Sequence, residues 1–189
     1  MKYLILLLIP AICLGQGTTF KASSETIQWT GHAAIGSYAP QGTLEIDSGL
    51  LNIVDGRPTA VEIWVDMNSL DQENQDLAGH LRNKDFFHVT KYPRAHFITD
   101  EVVGMGNDEF ALKGTFTIKD QSHKEKITAR LVPNGDSYLL EFDHQMDRTQ
   151  YGVIYNSPSF FKNLKDQAIG NTFELKGTVR FVRTTADQR

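Results

Sequence analysis

Apolar and polar residues alternate through most of this chain, and that period of two constrains its fold more than any other feature. Neighbouring side chains of an extended segment point to opposite faces, so alternation is typical of strands with one buried face. The segments with this pattern are residues 25–35, 44–46, 51–53, 61–67, 97–103, 110–118, 127–131, 138–142 and 173–183. Turn-forming residues such as Asp55-Gly56 separate them. Roughly eight antiparallel strands at regular spacing predict a sandwich or a barrel.

One face of these predicted strands is rich in large apolar side chains. Its members are Trp29, Ile63, Val65, Met67, Phe97, Phe110, Leu112, Phe116, Ile118, Leu131, Tyr138, Leu140, Phe142, Leu175, Val179 and Phe181. An eight-stranded barrel is the size at which side chains either fill the interior or leave room for one small ligand. The pattern alone favours a filled core, because aromatic stripes belong to cores more often than to pockets.

The chain's best helical segment is predicted to open at Ser69 or Asp71, either of which can serve as a cap. Leu70, Leu77 and Leu81 then share one side of the helix. This apolar stripe is too short to form a core with another helix. We therefore expect the helix to lie across an opening or a face of the sheet.

Two pairs of adjacent phenylalanines follow. Because neighbouring side chains of an extended segment diverge, Phe86 and Phe87 can face one core only if the chain turns there. One of these rings is predicted to plug the core while the other packs under the loop. In residues 156–164, a short helical turn is predicted to display Phe160 and Phe161 as a lid over the barrel or as its plug.

Residues 1–15 are predicted to be a signal peptide rather than part of the fold. Lys2 supplies a positive start, residues 4–12 form an apolar run too short to span a bilayer, and Gly15 is a small residue at the cleavage position. Cleavage there leaves residues 16–189 as one domain. We expect that domain to be periplasmic or secreted.

Composition argues against several kinds of partner. The only cysteine is Cys13, so no disulfide is expected, and the bulky Ile12 before it disfavours lipoprotein processing. The net charge is −4, and no run of Lys or Arg is interleaved with aromatic residues. We expect no nucleic-acid binding and no charge-driven binding to an anionic membrane. No second long apolar run is present, so no stable membrane insertion is expected.

The densest polar cluster contains Asp143, His144, Asp147 and Arg148. His144 with a carboxylate could act as an acid-base pair, but no serine or cysteine stands in a nucleophile-type turn. Local pairing of Asp147 with Arg148 at a strand end is the favoured interpretation. We therefore expect no enzyme activity, and a hydrolase that uses His144 on a lipid-like substrate is kept as an alternative.

Three histidines recur at intervals of eight residues, at His80, His88 and His96. That spacing fits no single helix or strand that would aim three imidazoles at one point, and no Cys, Asp or Glu completes a familiar ligand pattern. We expect no metal site and no cofactor.

Several motifs in order carry a resemblance to a known family. The longest is GHLRNKDFFHVTKYPRAHF at residues 79–97, and further similar segments cover residues 64–70, 114–127, 147–161 and 173–181. Together they resemble the YceI-like family of polyisoprenoid-binding, lipocalin-like proteins of bacterial periplasms. One departure is residues 38–42, where family members often carry a histidine and this chain does not, so no role of that histidine is carried over to this chain.

The resemblance implies a lipocalin-like barrel that holds a long apolar chain, which reverses the preference for a filled core. Arg148, Tyr151 and Gly152 match the family's Arg-x-x-Tyr/Phe-Gly segment near the barrel mouth. Arg148 is then a candidate for orienting a polar head group.

These inferences combine into an all-β fold, an antiparallel eight-stranded lipocalin-like barrel with one or two short helices across one face. The predicted function is an exported lipid-binding protein that carries or stores a polyisoprenoid or fatty-acyl ligand in the cell envelope. A ligand-free interaction or stress module is the other alternative, and a homodimer is possible. The candidate ligand-binding residues are Trp29, Ile63, Val65, Met67, Leu81, Phe86, Phe87, Phe97, Phe116, Phe142, Arg148, Tyr151, Phe160, Phe161 and Phe181.

Overall fold

Nine antiparallel strands and one α-helix make up the fold of the described residues. The structure is a computed structural model that describes residues 17–23 and 25–184, so the predicted signal peptide lies outside the described residues. The elements are β1 Thr18–Ala22, β2 Thr26–Ala33, β3 Gln41–Val54, β4 Arg57–Asp71, α1 Gln75–Arg82, β5 Arg94–Gly106, β6 Glu109–Ile118, β7 Gln121–Asn134, β8 Ser137–Asp147 and β9 Ile169–Arg183.

The strands close into a barrel with eight strand positions. Each strand from β2 to β8 pairs with the next strand in sequence. β2 also pairs with β9, which completes the ring. β1 and β2 share one position between β3 and β9. β2 pairs with residues 41–45 and 169–176, whereas β1 pairs with residues 50–53 and 181–183. The predicted eight-stranded antiparallel barrel is confirmed.

The interior follows the predicted alternation. Phe97, Leu112, Phe116 and Leu140 are all buried inside the barrel. Close packing also fixes one glycine: a Cβ at Gly42 would lie 2.6 Å from the ring of Trp29 and closer still to the carbonyl oxygen of Asp71. Only a residue without a side chain lets the Trp29 indole lie against this part of the wall.

The predicted start of the helix is wrong. β4 continues as far as Asp71, and α1 begins at Gln75, where the Asn74 side chain accepts two N–H groups of the first turn at 3.0 and 3.2 Å. Leu70 therefore lies at the end of a strand, where it is buried.

An irregular strand end explains this error. The two-residue step from Thr43 to Glu45 on β3 faces the five-residue step from Asp71 to Asp66 on β4. The Ser69 hydroxyl accepts the backbone N–H of Glu45 at 2.7 Å and donates to the carbonyl oxygen of Asp66 at 2.6 Å. Ser69, which was predicted to cap the helix, instead holds together a bulge.

The chain turns sharply after α1, as two neighbouring inward rings require. Leu81 accepts the backbone N–H of Phe87 at 3.1 Å, and His88 has a positive φ of 52°. Phe86 is the plug, with 4% of its surface exposed, while Phe87 is partly buried against the core.

The turn predicted around Phe160 and Phe161 forms as a single helical turn: the carbonyl oxygen of Ser157 accepts the backbone N–H of Phe160 at 3.0 Å and that of Phe161 at 2.9 Å. It does not continue into a regular helix, and both rings are exposed. In the described part of the chain, short 3-10 helices also occur at Arg148–Tyr151 and Lys165–Gln167. No helix within this part is long and apolar enough to cross a bilayer.

Candidate functional site

An apolar cavity of about 250 Å³ lies at the end of the barrel that α1 covers. Strands β2, β3, β4, β5, β6 and β9 form its wall, and α1, the loop after α1 and residues 166–170 surround its opening. Eight of the predicted site residues line it, namely Trp29, Val65, Met67, Leu81, Phe86, Phe87, Phe116 and Arg148. The sequence prediction and the observed cavity therefore share a continuous set of side chains.

A smaller void of about 40 Å³ lies next to this cavity, further along the barrel interior. Three more predicted residues line it, Ile63, Phe97 and Phe142. Four residues line both spaces and separate them: Ile27, Val65, Phe116 and Leu175.

The remaining predicted residues line neither space. Tyr151 is fully buried and meets Phe116 edge-on, with ring centroids 6.2 Å apart. Phe181 is fully buried in the core, and Phe160 and Phe161 are exposed on the surface.

Sequence reasoning missed several lining residues. Ile27 and Leu44 follow the same alternation as Trp29 and could have been found from it. Tyr38, Pro40 and Ala168 lie in irregular connections, where no periodic signal marks an inward side chain.

Arg148 is held by backbone oxygens. It is 5% exposed; its Nε donates to the carbonyl of Gly170 at 2.9 Å, Nη1 to Val153 at 2.6 Å and Nη2 to Ile169 at 3.0 Å. Burial lowers the pKa of Arg148 to about 10, against the raising effect of nearby Asp147. The guanidinium thus ties two segments together, and part of it also faces the cavity.

Asp147 has a different role from the predicted local ion pair. Its Oδ1 accepts the backbone N–H of Thr149 at 2.8 Å and the Thr149 hydroxyl at 2.7 Å. This is the cap of the 3-10 helix Arg148–Tyr151.

His144 pairs with a carboxylate that the sequence did not indicate. Its Nε2 lies 3.2 Å from Oε2 of Glu125, and the Tyr151 hydroxyl donates to Oε1 of the same carboxylate at 2.9 Å. Burial, together with this hydrogen bond, raises the pKa of Tyr151. The cluster does not line the cavity, and the described wall of the cavity carries no serine or cysteine. His144 and its carboxylate partner therefore lie apart from the cavity.

The three evenly spaced histidines pack against different aromatic rings. His80 meets Phe86 edge-on at 5.1 Å, His88 meets Tyr92 at 5.8 Å, and His96 stacks on Trp64 at 4.2 Å. No group of three or more potential metal ligands is found within residues 17–23 and 25–184.

Two polar groups near the cavity stand out. The indole Nε1 of Trp29 is the one buried side-chain polar atom without a hydrogen-bond partner in the described residues. Lys119, on the turn between β6 and β7, donates to the carbonyl oxygens of Phe86 at 2.6 Å and Gly152 at 3.2 Å. Burial lowers the pKa of Lys119. Its ammonium group joins the loop after α1 to the segment after β8.

A comparison with family models assigns this barrel to a protein family. The model described as a YceI-like domain matches residues 19–181, which is most of the chain. The chain belongs to the YceI-like domain family. Its strands and its covering helix are therefore those of a YceI-like barrel.

Individual relatives are more distant. A UPF0312 protein of Pectobacterium carotovorum is 30% identical over 97 residues, which are 50% of each chain. Protein YceI of Shigella flexneri has the same identity over the same share. The chain spans about half the length of these curated relatives.

Solved structures agree on the fold. BcnA of Burkholderia cenocepacia has a TM-score of 0.69 at 13% identity, and the match covers 83% of this chain and 95% of that one. A polyisoprenoid binding domain from Saccharophagus degradans has a TM-score of 0.65 at 10% identity, covering 88% and 99%. Identities this low show a shared YceI-like barrel only.

Proposed function

We propose that this protein binds one long apolar ligand, of polyisoprenoid or fatty-acyl type, inside the barrel and carries or stores it in the cell envelope. The observation that supports the proposal most is the apolar cavity, which opens at one end and continues towards a second apolar void. Each methylene group removed from water contributes about 0.8 kcal/mol before ordering costs. Binding of this kind needs shape and dryness, and it needs no nucleophile or cofactor.

The size of the cavity determines how such a ligand would enter. Its volume of about 250 Å³ lies below the range of ligand pockets, which is about 300–1,000 Å³. Joining the void of about 40 Å³ to it adds little, so a chain of some tens of carbons requires the barrel interior to widen as well. Because Phe116 lines both spaces, a rotation of this ring is the proposed step that opens the inner void to the tail.

Two polar groups favour a ligand with a small polar head over a pure hydrocarbon. A buried N–H without a partner costs about 1–3 kcal/mol, and a modest movement of the Trp29 ring would let an acceptor on the ligand relieve that cost. Arg148 faces the same cavity, although backbone carbonyls occupy three of its donors. We therefore assign Arg148 first to holding the site and second to contacting a head group.

Export and the absence of catalysis belong to the same proposal. The related domain from Saccharophagus degradans is described as binding polyisoprenoid, which supports a binding role over an enzymatic one. Residues 1–15 would direct the protein out of the cytoplasm. In the cell envelope it would act as a diffusing carrier of apolar molecules.

The first test is direct. The purified protein is extracted with organic solvent and the extract is analysed by mass spectrometry; we expect a long-chain lipid in about equimolar amount. The delipidated protein is then titrated with cis-parinaric acid, whose fluorescence rises in an apolar site. A Trp64→Phe background leaves Trp29 as the only energy donor.

A matched pair of variants localises the binding. Met67→Gln places a polar amide on the cavity wall and is expected to weaken parinaric acid binding by at least about tenfold. Met105→Gln, on the exposed β5–β6 hairpin, is the control and should bind like the wild type. An empty extract together with no binding of any acyl or prenyl probe would reject the proposal in favour of the ligand-free interaction module.

A further inference from the structure

Exposed apolar side chains are concentrated around the cavity opening. Seven large apolar side chains are strongly exposed in the described part of the chain: Ile35, Tyr38, Leu50, Met105, Phe160, Phe161 and Val182. Four of them lie in two segments at the end where the cavity opens, residues 34–40 and 157–165. Phe160 and Phe161 are 57% and 45% exposed. Burying these two rings in another apolar surface would be favourable.

Hydrogen bonds fix both segments to the opening. The backbone N–H of Ala34 donates to the carbonyl of Ala168 at 2.9 Å, and that of Ile169 donates to Asn156 at 2.9 Å. Ala168 and Ile169 line the cavity, and so does Tyr38, although 65% of Tyr38 is exposed. The exposed rings therefore flank the route that a ligand would take.

The charges of these segments fit a lipid surface. Residues 34–40, AIGSYAP, carry no charge at all, and residues 157–165, SPSFFKNLK, carry two lysines and no acid. Lys162 and Lys165 are exposed directly after the two rings. Aromatic rings followed by lysines are typical of segments that lie at a membrane interface, with rings in the acyl boundary and ammonium groups at the phosphates.

A second copy of the chain fits this surface less well. In a two-fold interface the same patch meets itself, so Lys162 and Lys165 would be brought towards their own copies. Like charges at an interface are unfavourable unless acids pair with them. The two segments themselves supply no acid, and the exposed Asp166 directly after Lys165 can offset only part of this repulsion.

We infer that this end of the barrel docks on an anionic lipid bilayer, with Phe160 and Phe161 inserted and the cavity opening turned towards the lipids. The inference rests on the proposed function for its purpose, since docking would let an apolar ligand pass between bilayer and barrel without crossing water. Insertion of the rings carries most of the binding. Glu73 and Asp76 at the start of α1 and Asp166 beside Lys165 lie on the same end, so the contribution of charge is modest.

The experiment is co-flotation of the purified protein with vesicles of phosphatidylethanolamine and phosphatidylglycerol in a 3:1 ratio. The wild type should float with the vesicles. Phe160→Ser with Phe161→Ser should lower partitioning by at least about tenfold, because both rings leave the acyl boundary. Met105→Ser with Val182→Ser is the matched control, since these exposed side chains are outside the two segments, and it should float like the wild type.

Two further measurements decide what the surface recognises. Lys162→Gln with Lys165→Gln should weaken flotation at low salt less than the loss of both rings does, by about fivefold for the pair, and should change little on phosphatidylcholine vesicles. Parinaric acid binding in vesicle-free buffer reports on the cavity alone, and the Phe160/Phe161 variant should retain it. Loss of flotation with intact parinaric acid binding thus separates docking from ligand binding.

Three results would overturn the inference. One is a wild type that does not float on either vesicle type while it binds parinaric acid. Another is equal loss of flotation in the control pair. The third is a wild-type dimer, by sedimentation velocity, that becomes a monomer in the Phe160/Phe161 variant and does not bind vesicles, which would make this surface a self-association interface.

Discussion

The two ends of the barrel are built in different ways. At one end, β3–β4, β5–β6 and β7–β8 are joined by hairpins of two residues, at Asp55-Gly56, Asn107-Asp108 and Gly135-Asp136. At the other, most connections are long: residues 34–40, 72–93 and 148–168. The cavity lies at the end with the long connections. Strand pairing builds the wall, and irregular connections decide which part of the interior stays open.

The packing of the interior also differs between the two ends. At the hairpin end, β1 enters the wall and Phe20 packs edge-on against Tyr138, with ring centroids 5.0 Å apart. Phe181 is fully buried beside them. At the other end, Gly42 lets the Trp29 ring lie back against the wall, and space remains next to it. One alternating pattern therefore produces a filled core and a cavity within a single barrel.

The largest expected effect is at the boundary between these interiors. Phe116→Asp would place an unpaired carboxylate between the two apolar spaces, at a cost of more than about 5 kcal/mol, which is comparable to the whole stability of a domain. Urea unfolding should show a poorly folded protein that does not bind parinaric acid. Phe160→Asp, on the surface, should unfold like the wild type. Near-equal urea midpoints for Phe116→Asp and the wild type would mean that water reaches the interior around Phe116.

The next effect compares the two rings after α1. Phe86→Ala should lower the free energy of unfolding by about 3–5 kcal/mol, because a buried ring leaves a cavity. Phe87→Ala should cost clearly less, since Phe87 is only partly buried. Denaturant midpoints measure both. A reversed order would show that Phe87, and not Phe86, is the plug of the open end.

Arg148 tests whether the open end depends on its polar clamp. Arg148→Ala removes the donor from three carbonyls and should cost about 2–4 kcal/mol of stability. Arg148→Lys keeps the charge but cannot reach all three oxygens, so its loss should be intermediate. If both variants keep the wild-type midpoint and lose affinity only for ligands with a hydrogen-bonding head, Arg148 is a head-group residue and its clamp is unimportant.

A smaller effect is expected at the hairpin end. Gly56 has a φ of +75°, so Gly56→Ala should cost about 1 kcal/mol. Asp120 has a φ of +59° in the one tight turn between neighbouring strands at the cavity end, so Asp120→Gly should be neutral or stabilising. Thermal unfolding of both variants gives the comparison. If Asp120→Gly destabilises the protein more than Gly56→Ala does, the Asp120 side chain stabilises its turn by more than the cost of its positive φ.

The smallest effect concerns pH. Burial lowers the pKa of His96, which stacks on Trp64 at the outer wall. The unfolded chain then takes up this proton at a higher pH than the folded protein does, so the contribution of neutral His96 is present above about pH 6.5 and is lost as pH falls through the lowered pKa. His96→Gln should flatten the decline of stability below pH 6.5. An unchanged slope would assign the acid sensitivity to other groups.

The sequence predicts the wall much better than the opening. Inward residues such as Trp29, Met67 and Phe116 follow from alternation alone, because the face of a side chain in a strand depends only on parity. The position of Leu70 does not follow, since the bulge held by Ser69 shifts the register at the end of β4. A hydroxyl that caps a helix and one that holds a bulge look the same in sequence.

Partners that are distant in sequence are the other limit. His144 lies three residues from Asp147, yet it pairs with Glu125 on the neighbouring strand. The contacts of Lys119 with Phe86 and Gly152 likewise depend on which loops the barrel brings together. Neither set of contacts has a local pattern in sequence. Sequence reasoning identified His144 without its partner and did not single out Lys119.

The division of one strand position between β1 and β2 has a consequence for local unfolding. β2 alone bridges β3 and β9 beside the cavity, while β1 bridges them at the hairpin end. Release of β1 would break pairing only at that end and would leave the ring around the cavity intact. Amide hydrogens of residues 18–22 should therefore exchange faster than those of residues 26–30, and bound ligand should slow only the second group. The barrel would then unfold locally at the hairpin end while it retains a bound ligand at the other end.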